Sequence, residues 1–195
     1  LVPRFTRKES RKFFKVLNTR VNKYFNENKL SKTGNWRLYG KTVIMFAILI
    51  APYILIISLD ISDLFKLFLS IVTGIGMAGV GMNVMHDGNH GSFSKYDWVN
   101  KIMGGSIYIL AGNVFNWKVQ HNVLHHTYTN VYGQDEDLEA GKILRFSKHS
   151  KWMPHHRFQH LYSVFLYGLL TINWAIFADF IQLIQIGRAS CRERV

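Results

Sequence analysis

The chain has a single cysteine, Cys191, among 195 residues. One thiol cannot close an intramolecular disulfide, and it cannot build a zinc ribbon or an iron–sulfur centre. Charge is scarce and one-sided. Charged residues make up 18% of the sequence, below the roughly 25% of an average soluble domain, which weighs against disorder. Twelve acidic residues face 24 basic ones, for a formal net charge of +12. Histidine is missing from 120 positions, and all nine lie between His86 and His160. No His-Glu-x-x-His pair and no Gly-x-Ser-x-Gly elbow occurs, which argues against a zincin and a serine triad.

What is present comes in blocks. Residues 1–41 hold twelve Lys or Arg against two Glu, a net of +10. Thr42 to Leu59 is eighteen residues without a charge, about 27 Å as a helix and close to the ~30 Å hydrocarbon core of a bilayer. Pro52 lies inside this run, which a membrane helix tolerates. A second apolar run covers 64–85, with Lys66 placed to snorkel and Gly74, Gly76, Gly79 and Gly81 spaced for close helix approach. Residues 161–185 supply a third, with one Asp and no basic residue. A basic excess beside apolar runs fits positive-inside asymmetry rather than nucleic-acid binding.

The pattern predicts an all-α integral membrane bundle with spans over 42–59, 64–85 and 161–185. A basic segment over 1–41 and a His-rich helical region over 86–160 share the cytoplasmic side. The inner membrane of a bacterium is favoured over the endoplasmic reticulum. Arg11-Lys-Phe-Phe-Lys-Val-Leu reads equally as a basic amphipathic stretch on anionic headgroups or as a solvated tail. Ile102 to Phe115 is too short and glycine-interrupted for an easy span. It is expected to lie at the interface or re-enter, because crossing would carry the histidines before and after it to opposite faces.

Those histidines form two groups at metal-ligand spacing. His86-Asp-Gly-Asn-His90 and His121-Asn-Val-Leu-His125-His126 each hold an i,i+4 pair, which a helix places on one face. Gly88 and Gly91 suggest a helix loosening at the first group. Five imidazoles exceed the three protein ligands of a typical catalytic zinc site. Imidazole alone does not select a metal, but a thiolate-free site of this size suggests two ions and oxygen chemistry at non-haem iron.

These two groups, the second read within Trp117-Lys-Val-Gln-His121-Asn-Val-Leu-His125-His126-Thr-Tyr-Thr-Asn130, resemble the first two histidine boxes of the membrane fatty acid desaturases. The likeness is to the front-end, linoleoyl-CoA-desaturase-like branch, and Arg157-Phe-Gln-His160-Leu-Tyr is similar to it as well. The resemblance implies a fold of four membrane helices, three of them present here. It also implies two non-haem iron ions with O₂ as co-substrate, and electrons from a cytochrome b5 or ferredoxin-type donor. The activity it implies is insertion of a cis double bond into a long-chain acyl-CoA or acyl-lipid. His86, His90, His121, His125 and His126 match ligand positions.

The family's third box, after a fourth span, has no counterpart here. The chain therefore reads as a truncated fragment, expected to be inactive by itself. Leu1-Val-Pro-Arg resembles half of a protease-cleavage tag, but Phe5 does not continue it. Ile186 to Val195 resembles translated sequencing adapter, so 186–195, with Cys191, is expected to be non-native.

Asp87 is placed to orient a ligating imidazole through its second N–H. His160 stands open between an interfacial polar residue and a partner or extra ligand at the metal. Asp135, Glu136 and Asp137 read as a solvated acidic loop, and His155-His156 as interfacial basic sequence. Trp117, Trp152 and Trp174 read as interface or packing residues. Two other functions fit the same residues: a related di-iron hydroxylase or ketolase, and a non-catalytic membrane protein that binds metal through its histidines.

Overall fold

The computed structural model describes residues 7–138 and 141–184, and the tail 186–195 lies outside the described residues. Helices joined by turns and irregular loops make up what is described, with no strand among the described residues. The basic segment folds as helix α1 (Arg7–Glu27). Helix α2 (Trp36–Ser58) begins six residues ahead of the apolar run, because Asn35 caps it by accepting the Arg37 N–H at 3.0 Å. Pro52 sits buried within it.

Helix α3 runs from Asp63 to Asn89. Ser62 caps its start, and Asp63 puts a negative charge in the first turn, where the helix dipole favours it. The short link between α2 and α3 makes them antiparallel neighbours. In each, only 17% of the most apolar eighteen-residue stretch is buried, the pattern of helices sheathed in lipid.

Lipid tails are as apolar as leucine, so covering one helix with another gains little inside a bilayer, and close backbone approach does the packing. Gly76 is where that occurs. A Cβ there would lie 2.5 Å from the Leu49 nitrogen. A Cβ at Gly79 or Gly81 would meet Met45 or Leu110 at 3.2 Å, whereas one at Gly74, expected to share this role, would face open space.

The buried core gathers toward the histidine end of the hairpin. Val80 and Val84 are fully buried with Leu49, Phe93 and Leu110, and Met85, Ile107 and Trp117 form a second cluster that Trp174 covers. The stretch expected not to cross the bilayer is broken. It comprises the end of α4 (Asp97–Gly105), a 3₁₀ turn over Ser106–Leu110, a left-handed Ala111 and the start of α5 (114–128).

The third apolar run, expected as a span over 161–185, is bent. Helix α6 (Gln159–Asn173) gives way to a π-helical turn at Trp174–Ala178, and the pieces Pro154–Leu170 and Trp174–Ile184 meet at 57°. A π turn is a recognised cause of such a bend. Asn116 fixes the second piece by donating its Nδ2–H to the Asp179 carbonyl at 2.8 Å. Among the described residues, two helices are long and apolar enough to cross a membrane, or three if the bent pair counts as one.

Candidate metal centre

The first histidine pair lies at the end of α3, after a π-helical turn over Val80–Met85. Extra residues per turn are uncommon in helices and concentrate at functional sites. Gly88 presses this end onto α4: a Cβ would fall 2.4 Å from the Gly104 nitrogen. The glycine therefore serves contact, where loosening was expected. Asn89 locks the crossing by donating to the Gly104 carbonyl at 3.1 Å. Gly91, at φ +71°, ends the helix in a conformation that only glycine adopts freely. Buried Asn100 then holds the following loop, accepting the Ser94 N–H and donating to the Ser94 carbonyl, both at 2.8 Å.

The second group lies on α5, capped by Asn113, which accepts the Phe115 N–H at 2.8 Å. From Lys118 to His125 this helix is π-helical, not the α-helix that the spacing suggests. Two hydrogen bonds tie it to its neighbours. Asn122 donates to the Asn89 carbonyl at 3.2 Å, joining the two histidine segments directly. Gln182 donates to Gln120 at 3.0 Å, joining α5 to the bent third segment.

All five histidines of the two groups converge. Ring centroids of His86 and His90 lie 4.4 Å apart, and each is 5.2 Å from His121. His126 is 5.0 Å from His90 and 4.9 Å from His121, while His125 stacks on His121 at 5.2 Å. Trp117 stacks on the other face of the group, 4.5 Å from the His121 ring. One nitrogen from each of His86, His90 and His121 lies within 4.8 Å of the other two. The Nε2 atoms of His90 and His121 are buried and unpartnered.

Burial, reinforced by His86 and His126, lowers the His90 pKa against a smaller opposing pull from Asp87. Burial and then the neighbouring imidazoles lower His121 to about 4. Both rings are thus neutral at physiological pH, the form that offers a lone pair to a metal.

A carboxylate stands behind His125. Asp135 is 1% exposed, and its Oδ1 lies 3.1 Å from His125 Nδ1. Burial opposes its ionisation, but N–H bonds from Asn130 at 2.8 Å and Asp137 at 3.2 Å, with the bond from His125, outweigh this and hold its pKa below the ordinary value. Asp137 adds a second carboxylate oxygen 3.1 Å from the same Nδ1. Nδ1 therefore donates toward these carboxylates, which leaves Nε2 as the nitrogen able to face an ion. Beside this segment a cavity of about 660 Å³ opens between α5 and α6, lined by Gln120, Asp137, Tyr167, Leu170, Trp174 and Ile181, among others.

The sequence profile of the fatty acid desaturase family matches residues 62–194. The chain belongs to that family. It is 37% identical to the sn-1 linoleoyl-lipid 6-desaturase of Arthrospira platensis over 84% of the chain and 45% of that protein. It is 31% identical to the enzyme of the same name from Synechocystis, over 92% of the chain and 50% of the relative. The acyl-lipid (8-3)-desaturase of Physcomitrium patens is 32% identical over 89% of the chain and 36% of its own length. The chain thus spans half or less of these desaturases. No solved structure matches it.

The residues present in this desaturase-family chain suit iron. Buried, unpaired imidazole nitrogens cost free energy unless a partner satisfies them, and a thiolate-free set of imidazoles is compatible with non-haem iron. Asp135 has both oxygens occupied by N–H donors, so it suits orienting His125 better than binding an ion.

Other expectations fare differently. Asp87 does lie beside His86, with Oδ1 3.4 Å from Nδ1. His160 is exposed, and none of the close ring pairs in the cluster includes it. His156, expected at an interface, is buried with both nitrogens used. Nδ1 accepts the Met153 N–H at 3.0 Å, and Nε2 donates to the Lys142 carbonyl at 3.0 Å. Asp135 is buried rather than solvated. Nothing in its acidic neighbourhood announces this, and the usable signal was an aspartate ten residues beyond a ligating histidine. Asn89 and Asn122 also escaped the sequence reading, although each adjoins a box histidine.

Proposed function

We propose that the complete protein is an oxygen-dependent desaturase that introduces a cis double bond into a long-chain fatty acyl chain. One observation carries this reading. Nε2 atoms from two separate segments, those of His90 and His121, are buried without partners beside His86. In this reading His86, His90, His121, His125 and His126 hold two non-haem iron ions. Further ligands would come from sequence beyond this chain, since the relatives are about twice its length. Iron and O₂ together supply an oxidant able to remove hydrogen from unactivated methylenes, which no side chain can do.

The chain's own residues do the rest. Asp135 fixes the His125 tautomer, Trp117 and His121 stack to set ring direction, and the core at Ile107 and Met85 keeps water from one side of the cluster. The cavity between α5 and α6, with Tyr167, Leu170 and Trp174 in its wall, suits an apolar acyl segment entering from lipid. The relatives' names favour an acyl-lipid over an acyl-CoA, and the front-end class among desaturases. A cytochrome b5 or ferredoxin-type protein is the electron donor in this reading. The basic N-terminal segment supports a cytoplasmic placement for the histidine side.

The test is expression of the complete protein in a host lacking the activity, with lipid analysis by mass spectrometry and metal analysis of the purified protein. New double bonds and bound iron are expected. A hydroxylated or oxo product without a new double bond defeats the desaturase reading, and an iron-free protein defeats the metal assignment.

A further inference from the structure

We propose that α1 lies flat in the surface of an anionic bilayer, on the same side as the histidine cluster, with its apolar face in the lipid. The helix runs unbroken from Arg7 to Glu27, about 31 Å at 1.5 Å per residue. Phe13, Leu17 and Tyr24 fall along one line at helical spacing, with Phe14 and Val21 beside them. Each of these five leaves 41–66% of its surface exposed. Packing among the described residues therefore does not account for this apolar face.

The opposite face is basic. Arg11, Lys12, Lys15 and Lys23 project there, and the helix as a whole carries seven Lys or Arg against two Glu. Arg20 sits at the apolar margin, where its aliphatic stem can lie along lipid while the guanidinium reaches headgroups. A charge pattern of this kind suits an interfacial helix and not a spanning one. Among the described residues, α1 is not one of the helices apolar enough to cross a membrane.

Connectivity fixes which surface it meets. The α2 span starts at Trp36, nine residues after α1 ends. The Gly34 N–H donates to the Ser92 carbonyl at 3.1 Å, and Tyr39 meets Phe93 with ring centroids 5.5 Å apart. The start of α2 is therefore beside the loop that follows His90. A helix joined to this point by eight residues lies at the lipid surface bordering the histidine cluster. Its charge selects anionic headgroups, which attract lysine and arginine close to the surface.

The experiment uses the full chain in nanodiscs, with Cys191→Ser as background and single fluorescent labels at Phe14→Cys, Leu17→Cys, Lys12→Cys or Lys15→Cys. Brominated lipid and aqueous iodide serve as quenchers, in phosphatidylcholine with or without phosphatidylglycerol. Labels at 14 and 17 should be quenched several-fold more by lipid than labels at 12 and 15, with the order reversed for iodide. The contrast should weaken when phosphatidylglycerol is omitted, or when Arg11 and Lys23 are both changed to Gln. Equal iodide access on both faces would overturn the proposal. Labels at 14 and 17 shielded from both quenchers would also overturn it, since a protein surface then covers the face. A contrast indifferent to lipid charge would overturn it as well.

Discussion

His125 Nδ1 and the buried carboxylate of Asp135 are 3.1 Å apart, and that bond orients an imidazole whose ring stacks 5.2 Å from His121. The aspartate is itself held by the Asn130 and Asp137 N–H groups. The loop after α5 thus sets the direction of a ring on α5.

Asp135→Ala should weaken metal binding by roughly 10–100-fold, the usual cost of losing a ligand's carboxylate partner. Asp135→Asn should fall between, because its amide oxygen can still accept the Nδ1–H without the charge. Metal titration followed by Co(II) absorbance reads both. Equal affinity in all three proteins would refute the orienting role.

Metal content should separate the cluster from its neighbour in sequence. His90→Ala and His121→Ala each remove a buried, unpartnered nitrogen and are expected to lose most bound iron during purification. His160→Ala, at an exposed position outside the ring cluster, should retain it. Elemental analysis of the three purified proteins decides the matter, and iron loss in the His160 variant would place that residue in the site.

Gly76→Leu should destabilise the α2–α3 hairpin, since its Cβ would stand 2.5 Å from the Leu49 nitrogen. Overpacking of this kind typically costs about 1–3 kcal/mol. Gly74→Ala, facing open space, should be neutral or slightly stabilising through better helix propensity. Thermal unfolding in detergent compares them, and equal midpoints would show that the crossing is not where the structure puts it.

Gly88→Ala tests the seating of the first histidine pair. The added methyl would meet the Gly104 nitrogen at 2.4 Å, forcing the end of α3 away from α4. Iron retention should drop more than the unfolding midpoint does, because the displaced element carries His86 and His90. A variant with full iron and a lowered midpoint would limit Gly88 to a packing role.

Much of this protein is legible in its sequence. Long apolar runs of about span length suit lipid, so α2 and α3 were readable from Thr42–Leu59 and 64–85, and the charge difference between segments supplied an expected orientation. The five box histidines stood out because residue type and spacing are local properties. The bend at Trp174 was not legible, since nothing in the apolar run marks where the π-helical turn falls. Nor was the choice between Gly76 and Gly74, which share a helix and differ only in what faces them. Asp135 is the sharpest case: between acidic neighbours it reads as solvated, and it is buried because His125 and two backbone N–H groups surround it. Local chemistry is written along the chain, whereas desolvation and close approach arise only when distant segments meet.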